Sequence, residues 1–219
     1  TQIPIFATFA ALAVAVIAAV VFITEGERPV PISYTKRVRG MRMYGGFSTY
    51  LPLRVNQAGV IPIIFALSIL LFPQMFAGFL SASSNSFFQG IASVFLRFSQ
   101  NLLLYGFSYF ILVFFFTYFY TAVTFDPDTI SNNLQKSGGF VPGIRPGRPT
   151  AEFLSHVITR ITLVGAAFLG LIAVLPFIVQ AATGIVTLSL GGTALLIVVS
   201  VVLEFMKQLE GKLVMREYE

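Results

Sequence analysis

Charge disappears from this chain for long stretches, and no other feature restricts its fold so strongly. Residues 2–24, 55–96 and 161–203 contain no Asp, Glu, Lys or Arg, and the last of these runs for 43 positions. The chain is 56% hydrophobic and 11% charged, with 24 phenylalanines in 219 residues. Soluble domains carry about 25% charged residues. A water-soluble fold of this length has too little polar side chain to cover that apolar surface, so lipid must be its solvent.

Span lengths follow from bilayer thickness. The 21 residues 3–23 suffice to cross a hydrocarbon layer of ~30 Å at about 1.5 Å per residue. The run at 55–96 turns polar at 81–86 (SASSNS), which limits the second span to 59–80. Pro62 and Pro73 fall inside it; a membrane helix tolerates proline where neighbours satisfy the freed carbonyls. The third span, 102–125, stops at Asp126-Pro127. The run 161–203 exceeds one helix. Thr183-Gly184 and Gly191-Gly192 divide it into spans at 161–179 and 192–208. The prediction is an all-α polytopic membrane protein with five transmembrane helices.

Loop charge sets their direction. Arg28, Lys36, Arg37, Arg39, Arg42 and Arg54 fall in the loop 25–57, and Lys136, Arg145, Arg148 and Arg160 in the loop 126–160. The linker 81–101 holds only Arg97, and 180–191 holds no charge. Both basic loops are therefore expected in the cytoplasm, with the amino end outside and the carboxyl end inside. Thr1 as the opening residue, with no basic stretch before the first apolar run, reads as a fragment or a processed chain rather than a cleavable signal peptide. In the outer linker, Phe87, Phe88, Ile91, Val94, Phe95 and Phe98 recur at helical spacing opposite Gln89, Ser93, Arg97 and Gln100. That pattern fits a helix in the outer interface or a short packed linker helix.

The chemistry available is narrow. No cysteine is present, and His156 is the one histidine, so thiol catalysis, disulfides and multi-histidine metal sites are excluded. The centres of the five spans carry no ionisable group, which disfavours an ion-coupled pump or a membrane hydrolase. Glu204 reads as an interfacial residue and His156 as a solvated one. A passive path, a scaffold, half of a small-solute transporter, or a channel driven by something bound at the basic loops remain. No cofactor is expected, and the chain does not read as an enzyme.

Two loops stand out. Residues 136–150, KSGGFVPGIRPGRPT, combine Gly138, Gly139, Gly143 and Gly147 with Pro142, Pro146 and Pro149. Proline fixes φ and lacks a donor, while glycine allows tight turns. The expectation is a folded projection with neither helix nor sheet and Arg145 at its tip. Its guanidinium suits a carboxylate or phosphate. Lys36, Arg37, Arg39 and Arg42 cluster in the other loop, as expected for topology or for docking an acidic protein or RNA.

Four segments in order carry a resemblance: YTKRVRGMRMYGGFSTYLPLRVNQAGVIPIIFA (34–66), DPDTISNNLQKSGGFVPGIRPGRPT (126–150), TRITLVGA (159–166) and GGTALLIVV (191–199). Together they resemble the carboxyl half of the SecY family, the central subunit of the protein-conducting translocon. That family has ten spans in two pseudo-symmetric halves, and this chain resembles spans six to ten.

The resemblance implies further expectations. The amino-terminal half of SecY, in the same or a separate chain, should complete the channel. SecE, SecG, the SecA ATPase, the ribosome, a translocating polypeptide with its signal sequence, and membrane lipid are the implied partners. The implied location is the bacterial plasma membrane. Ile64 and Ile197 match the family's pore ring. Arg145, Lys36, Arg37, Arg39, Arg42, Lys136 and Arg148 fall in loops that receive the motor or ribosome. Asn56 and Ser68 belong to the span at the lateral gate; without the resemblance, such polar groups read as interhelical glue.

Overall fold

The computed structural model describes residues 3–35, 37–39, 42–44, 48–83 and 85–184, with positions 197, 198, 201, 202, 205, 206 and 209. Helices dominate: α1 (Ile3–Glu25), α2 (Ile61–Ser81), α3 (Ser86–Gln100), α4 (Leu102–Thr124), α5 (Pro127–Lys136) and α6 (Arg148–Thr183). Among the described residues, Ile61–Ser81, Leu102–Lys136 and Arg148–Ala181 are long and apolar enough to cross a membrane. The expected span 192–208 lies largely outside the described residues.

Lipid offers no hydrophobic drive between helices, so close packing must hold them. Glycine supplies it where α4 meets α6. A Cβ on Gly170 would sit 2.7 Å from the Phe110 ring, and one on Gly106 would touch Val174 at 3.4 Å. Around this seam Val60, Ile63, Ala66 and Leu70 join Tyr105, Tyr109, Val113, Leu169 and Ala173 in one core. Buried Thr117 and Thr121 donate to the carbonyls of Val113 and Thr117 at 2.7 and 2.8 Å. Each hydroxyl is thus satisfied within its own helix. On α1, Val20 packs against Ile172 of α6. The helix α3 packs on α2, buries Ala92 and leaves Phe87 and Val94 exposed.

Both basic loops hold regular structure, which corrects the expectation of neither helix nor sheet at 136–150. The loop 25–57 holds β1 (Glu27–Tyr34), β2 (Arg37–Arg39), β3 (Arg42–Tyr44) and β4 (Ser48–Arg54). The strands β1 and β4 pair antiparallel from Glu27↔Arg54 to Ser33↔Ser48. Three prolines hide this hairpin, and Pro29 faces Pro52 directly. Proline has no N–H, so such a pair fits only a site without ladder bonds. Alternating with Pro29 and Pro31, Val30 and Ile32 are buried.

The segment 136–150 likewise contains regular structure. A short strand β5 (Gly139–Phe140) adds to β1 in the order β4-β1-β5, and α6 already begins at Arg148. Its 36 residues measure about 54 Å at 1.5 Å each. That exceeds the hydrocarbon layer, and the turns carrying Arg148, Glu152, His156 and Arg160 lie on the side of the sheet.

Candidate functional site

The second basic loop is held from both flanking helices. Asp126 caps α5, accepting from the Thr129 hydroxyl at 2.6 Å and the amides of Asp128 and Thr129 at 3.0 and 3.3 Å. These bonds, the Thr129 hydroxyl first, hold its carboxyl below the usual carboxylate range. From α5, the buried Ser131 hydroxyl donates to the Gly147 carbonyl at 2.6 Å. From α6, Thr150 donates to the Arg145 carbonyl at 2.9 Å. Gly143 and Gly147 take φ of 84° and 95°, a region that side chains resist.

Ile144 packs into a second core with Val30, Leu53, Val141, Leu154, Val157, Ile158 and Ile161. The loop backbone is therefore fixed from both sides, while Arg145 stays exposed and makes no ion pair among the described residues. Thr150→Val preserves shape but frees the Arg145 carbonyl. The expected loss is about 1 kcal/mol. It should appear as roughly fivefold faster amide exchange across 142–147; unchanged exchange would show that this bond does not hold the loop.

The other cations sit on neighbouring stretches of the chain. Lys136 is exposed in the last turn of α5. Arg148 is exposed and lies 3.3 Å from Glu152 one turn on, a pairing worth little in solvent. Arg37, Arg39 and Arg42 lie on β2 and β3, with Arg39 opposite Arg42 in register. Lys36 lies outside the described residues. The strand β5 brings the two basic loops together: Ser33 pairs with Phe140 and Tyr34 with Gly139. Nothing in the sequence joins these loops, because a two-residue strand offers no periodicity to detect.

The pore and gate candidates sort by burial. On α2, Pro62 and Ile63 are buried, whereas Ile64 is 42% exposed. Ile197 is half-buried at a helical position. Asn56 is buried before α2 begins, with its amide donating to the Gly59 carbonyl at 3.2 Å. Its Oδ1 has no partner among the described residues. Ser68 is exposed one turn after Ile64 and donates to the Ile64 carbonyl at 2.8 Å. Asn56 and Ser68 therefore occupy different settings: one in a buried link, one on the open face.

Comparison with known proteins places these features in context. The SecY family model matches residues 2–206. The chain is 48% identical over 222 residues to the protein translocase subunit SecY of Mycobacterium tuberculosis strain H37Rv, covering 98% of this chain and 50% of that protein. It thus spans about half the length of that relative. Among solved structures, it resembles a SecY protein whose plug domain stabilises the closed state of the translocation channel and maintains a membrane seal. That likeness has a TM-score of 0.57 at 19% identity, over 90% of this chain and 48% of the other. A solved protein-conducting channel matches with a TM-score of 0.55 at 19% identity, over 90% and 47%.

Proposed function

Because this chain belongs to the SecY family, we propose that it forms one half of a gated channel for unfolded polypeptide. The observation that carries this reading is the split at Ile63-Ile64. Ile63 fills the helix core, while Ile64 stands 42% exposed on another side of α2. A second half of similar size closes that side, and Ile64 with Ile197 contributes to an apolar ring between the halves. Such a ring offers no donor or acceptor to replace an ion's hydration, so it dewets and resists ions when narrow. It also yields around a chain of any sequence, because it forms no specific hydrogen bonds.

The basic loops face the cytoplasm and dock the SecA motor or the ribosome. The amino end of the chain lies outside and its carboxyl end inside, in the bacterial plasma membrane. SecE, SecG and the amino-terminal half of SecY complete the assembly. Substrate passes through the ring, or leaves into lipid beside α2, where Asn56 and Ser68 belong to the gate. The chain supplies no catalysis; the motor or the elongating chain supplies the energy. A small-solute transporter would need polar groups directed at mid-membrane, whereas Thr117 and Thr121 are engaged by their own helix.

Ile64→Asn should break the seal. In planar bilayers containing the assembled channel, resting ion conductance is expected to rise on the order of tenfold. Conductance equal to that of the parent would remove Ile64 from the ring.

A further inference from the structure

We propose that three prolines guard the outer edges of the β1–β4 hairpin against strand addition, so that extended polypeptide does not pair with it. Hydrogen-bond parity carries the inference. The Val55 amide donates to the Gly26 carbonyl at 2.9 Å. This bond extends the β1–β4 register by one position and makes Gly26 and Val55 a bonded pair. Antiparallel pairs alternate between bonded and non-bonded. Arg28↔Leu53, Val30↔Leu51 and Ile32↔Thr49 are therefore bonded across the hairpin. Pro29↔Pro52, Pro31↔Tyr50 and Ser33↔Ser48 are the alternate pairs, whose backbone groups turn to the outer edges. All three prolines fall in this outward set.

The strand order β4-β1-β5 leaves two edges to guard among the described residues. On β1, the short strand β5 takes up the edge at Ser33 and Tyr34, which pair with Phe140 and Gly139. The Thr35 amide continues that seam, donating to the Gly138 carbonyl at 3.1 Å. The rest of the β1 edge presents Pro29 and Pro31 at successive outward positions, both exposed. An incoming strand meets carbonyls there but no donor. On β4, exposed Pro52 interrupts the outward row between Tyr50 and Arg54. At the root, Glu27 and Arg54 lie 3.5 Å apart, and charge on an edge also opposes addition.

Ladder geometry explains why proline avoids the bonded positions. It does not explain proline at successive outward positions, where β-branched and aromatic residues are the usual strand formers. An unguarded edge attracts extended chain, because main-chain bonds alone give affinity without regard to sequence. The guarded edges stand on the register. Their use rests on the function proposed above, in which unfolded polypeptide is the substrate.

Binding of a reduced, unfolded secretory polypeptide to the assembled channel, with no motor present, tests the guard. Pro29→Thr with Pro31→Thr restores two outward donors on β1, and Pro52→Thr restores one on β4. The double variant should bind the polypeptide on the order of tenfold more tightly than the parent. Its new amides at 29 and 31 should gain exchange protection only when polypeptide is present. Pro52→Thr should bind with a smaller gain. Protection of the Leu51 and Leu53 amides, bonded across the hairpin, reports whether the strands stay paired. Parent-like binding by a variant with paired strands overturns the proposal for that edge. Loss of strand pairing in both variants also overturns it, and would assign the prolines to building the hairpin instead.

A second arm measures motor-driven translocation in vesicles. The double variant should translocate more slowly than the parent. Tight capture with translocation at the parental rate would refute the guard's use in transport. Tight capture by the variant, where even the parent translocates nothing, would leave the guarded edges standing and refute the channel reading instead.

Discussion

Gly165→Ala is expected to destabilise the chain by about 3 kcal/mol, the upper end of the overpacking range. The added methyl would sit 2.5 Å from the Val55 carbonyl oxygen, and a backbone atom cannot rotate away as a side chain can. Either α6 shifts, disturbing Val157, Ile158 and Ile161 beneath the sheet, or the hairpin lifts and draws Val60 from the helix core. Gly90→Ala is the matched control. Gly90 is exposed on α3, and a methyl there would meet no atom within 4 Å. Alanine at that position should add up to about 1 kcal/mol of helix stability. Thermal unfolding in detergent, followed by size exclusion, should show Gly165→Ala melting lower by about 6 °C or more. Parent-like melting would mean that the strand end does not bear on α6.

Arg145→Glu is expected to reduce motor-dependent translocation at least tenfold, about 1.4 kcal/mol in coupling, while leaving insertion of the channel intact. The separation follows from how the loop is held. Its backbone is fixed by Ser131, Thr150 and Ile144, none of which uses the guanidinium. Charge reversal therefore changes what the tip attracts without altering how it is presented. Arg148→Glu should do less, because Arg148 lies in the first turn of α6 rather than in the loop that Ser131, Thr150 and Ile144 hold. Reconstituted vesicles with a secretory substrate measure both. Equal transport by parent and Arg145→Glu, with equal channel content, would deny Arg145 a docking role.

The parts legible in the sequence were those set by solvent. Lipid demands long uncharged helices, and the uncharged runs at 55–96 and 161–203 therefore marked α2 and the membrane-spanning part of α6 directly. Helical periodicity marked α3 in the same way, through the recurrence of Phe87, Phe88, Ile91, Val94, Phe95 and Phe98. The hairpin was not legible, because Pro29, Pro31 and Pro52 mask its alternation and their tolerance depends on which edge faces a partner. The extension of α6 back to Arg148 was hidden by polar residues outside the membrane. Gly165 was indistinguishable from Gly170 in sequence; only the structure shows that one meets the Val55 backbone and the other the Phe110 ring. At Ile63 and Ile64, two identical side chains differ solely in which side of α2 they take, 2% against 42% exposed.

The central claim is that Ile64 lines the path of a passing polypeptide. A photocrosslinking side chain at position 64 of the assembled channel, beside a secretory chain stalled in transit, tests it directly. Position 119 is the control, since Phe119 is 58% exposed on α4, a helix with no part in the proposed path. Strong crosslinks to the stalled chain from position 64, with only background from 119, are the predicted result. Equal yields from the two positions, or crosslinks to lipid alone from position 64, would contradict it.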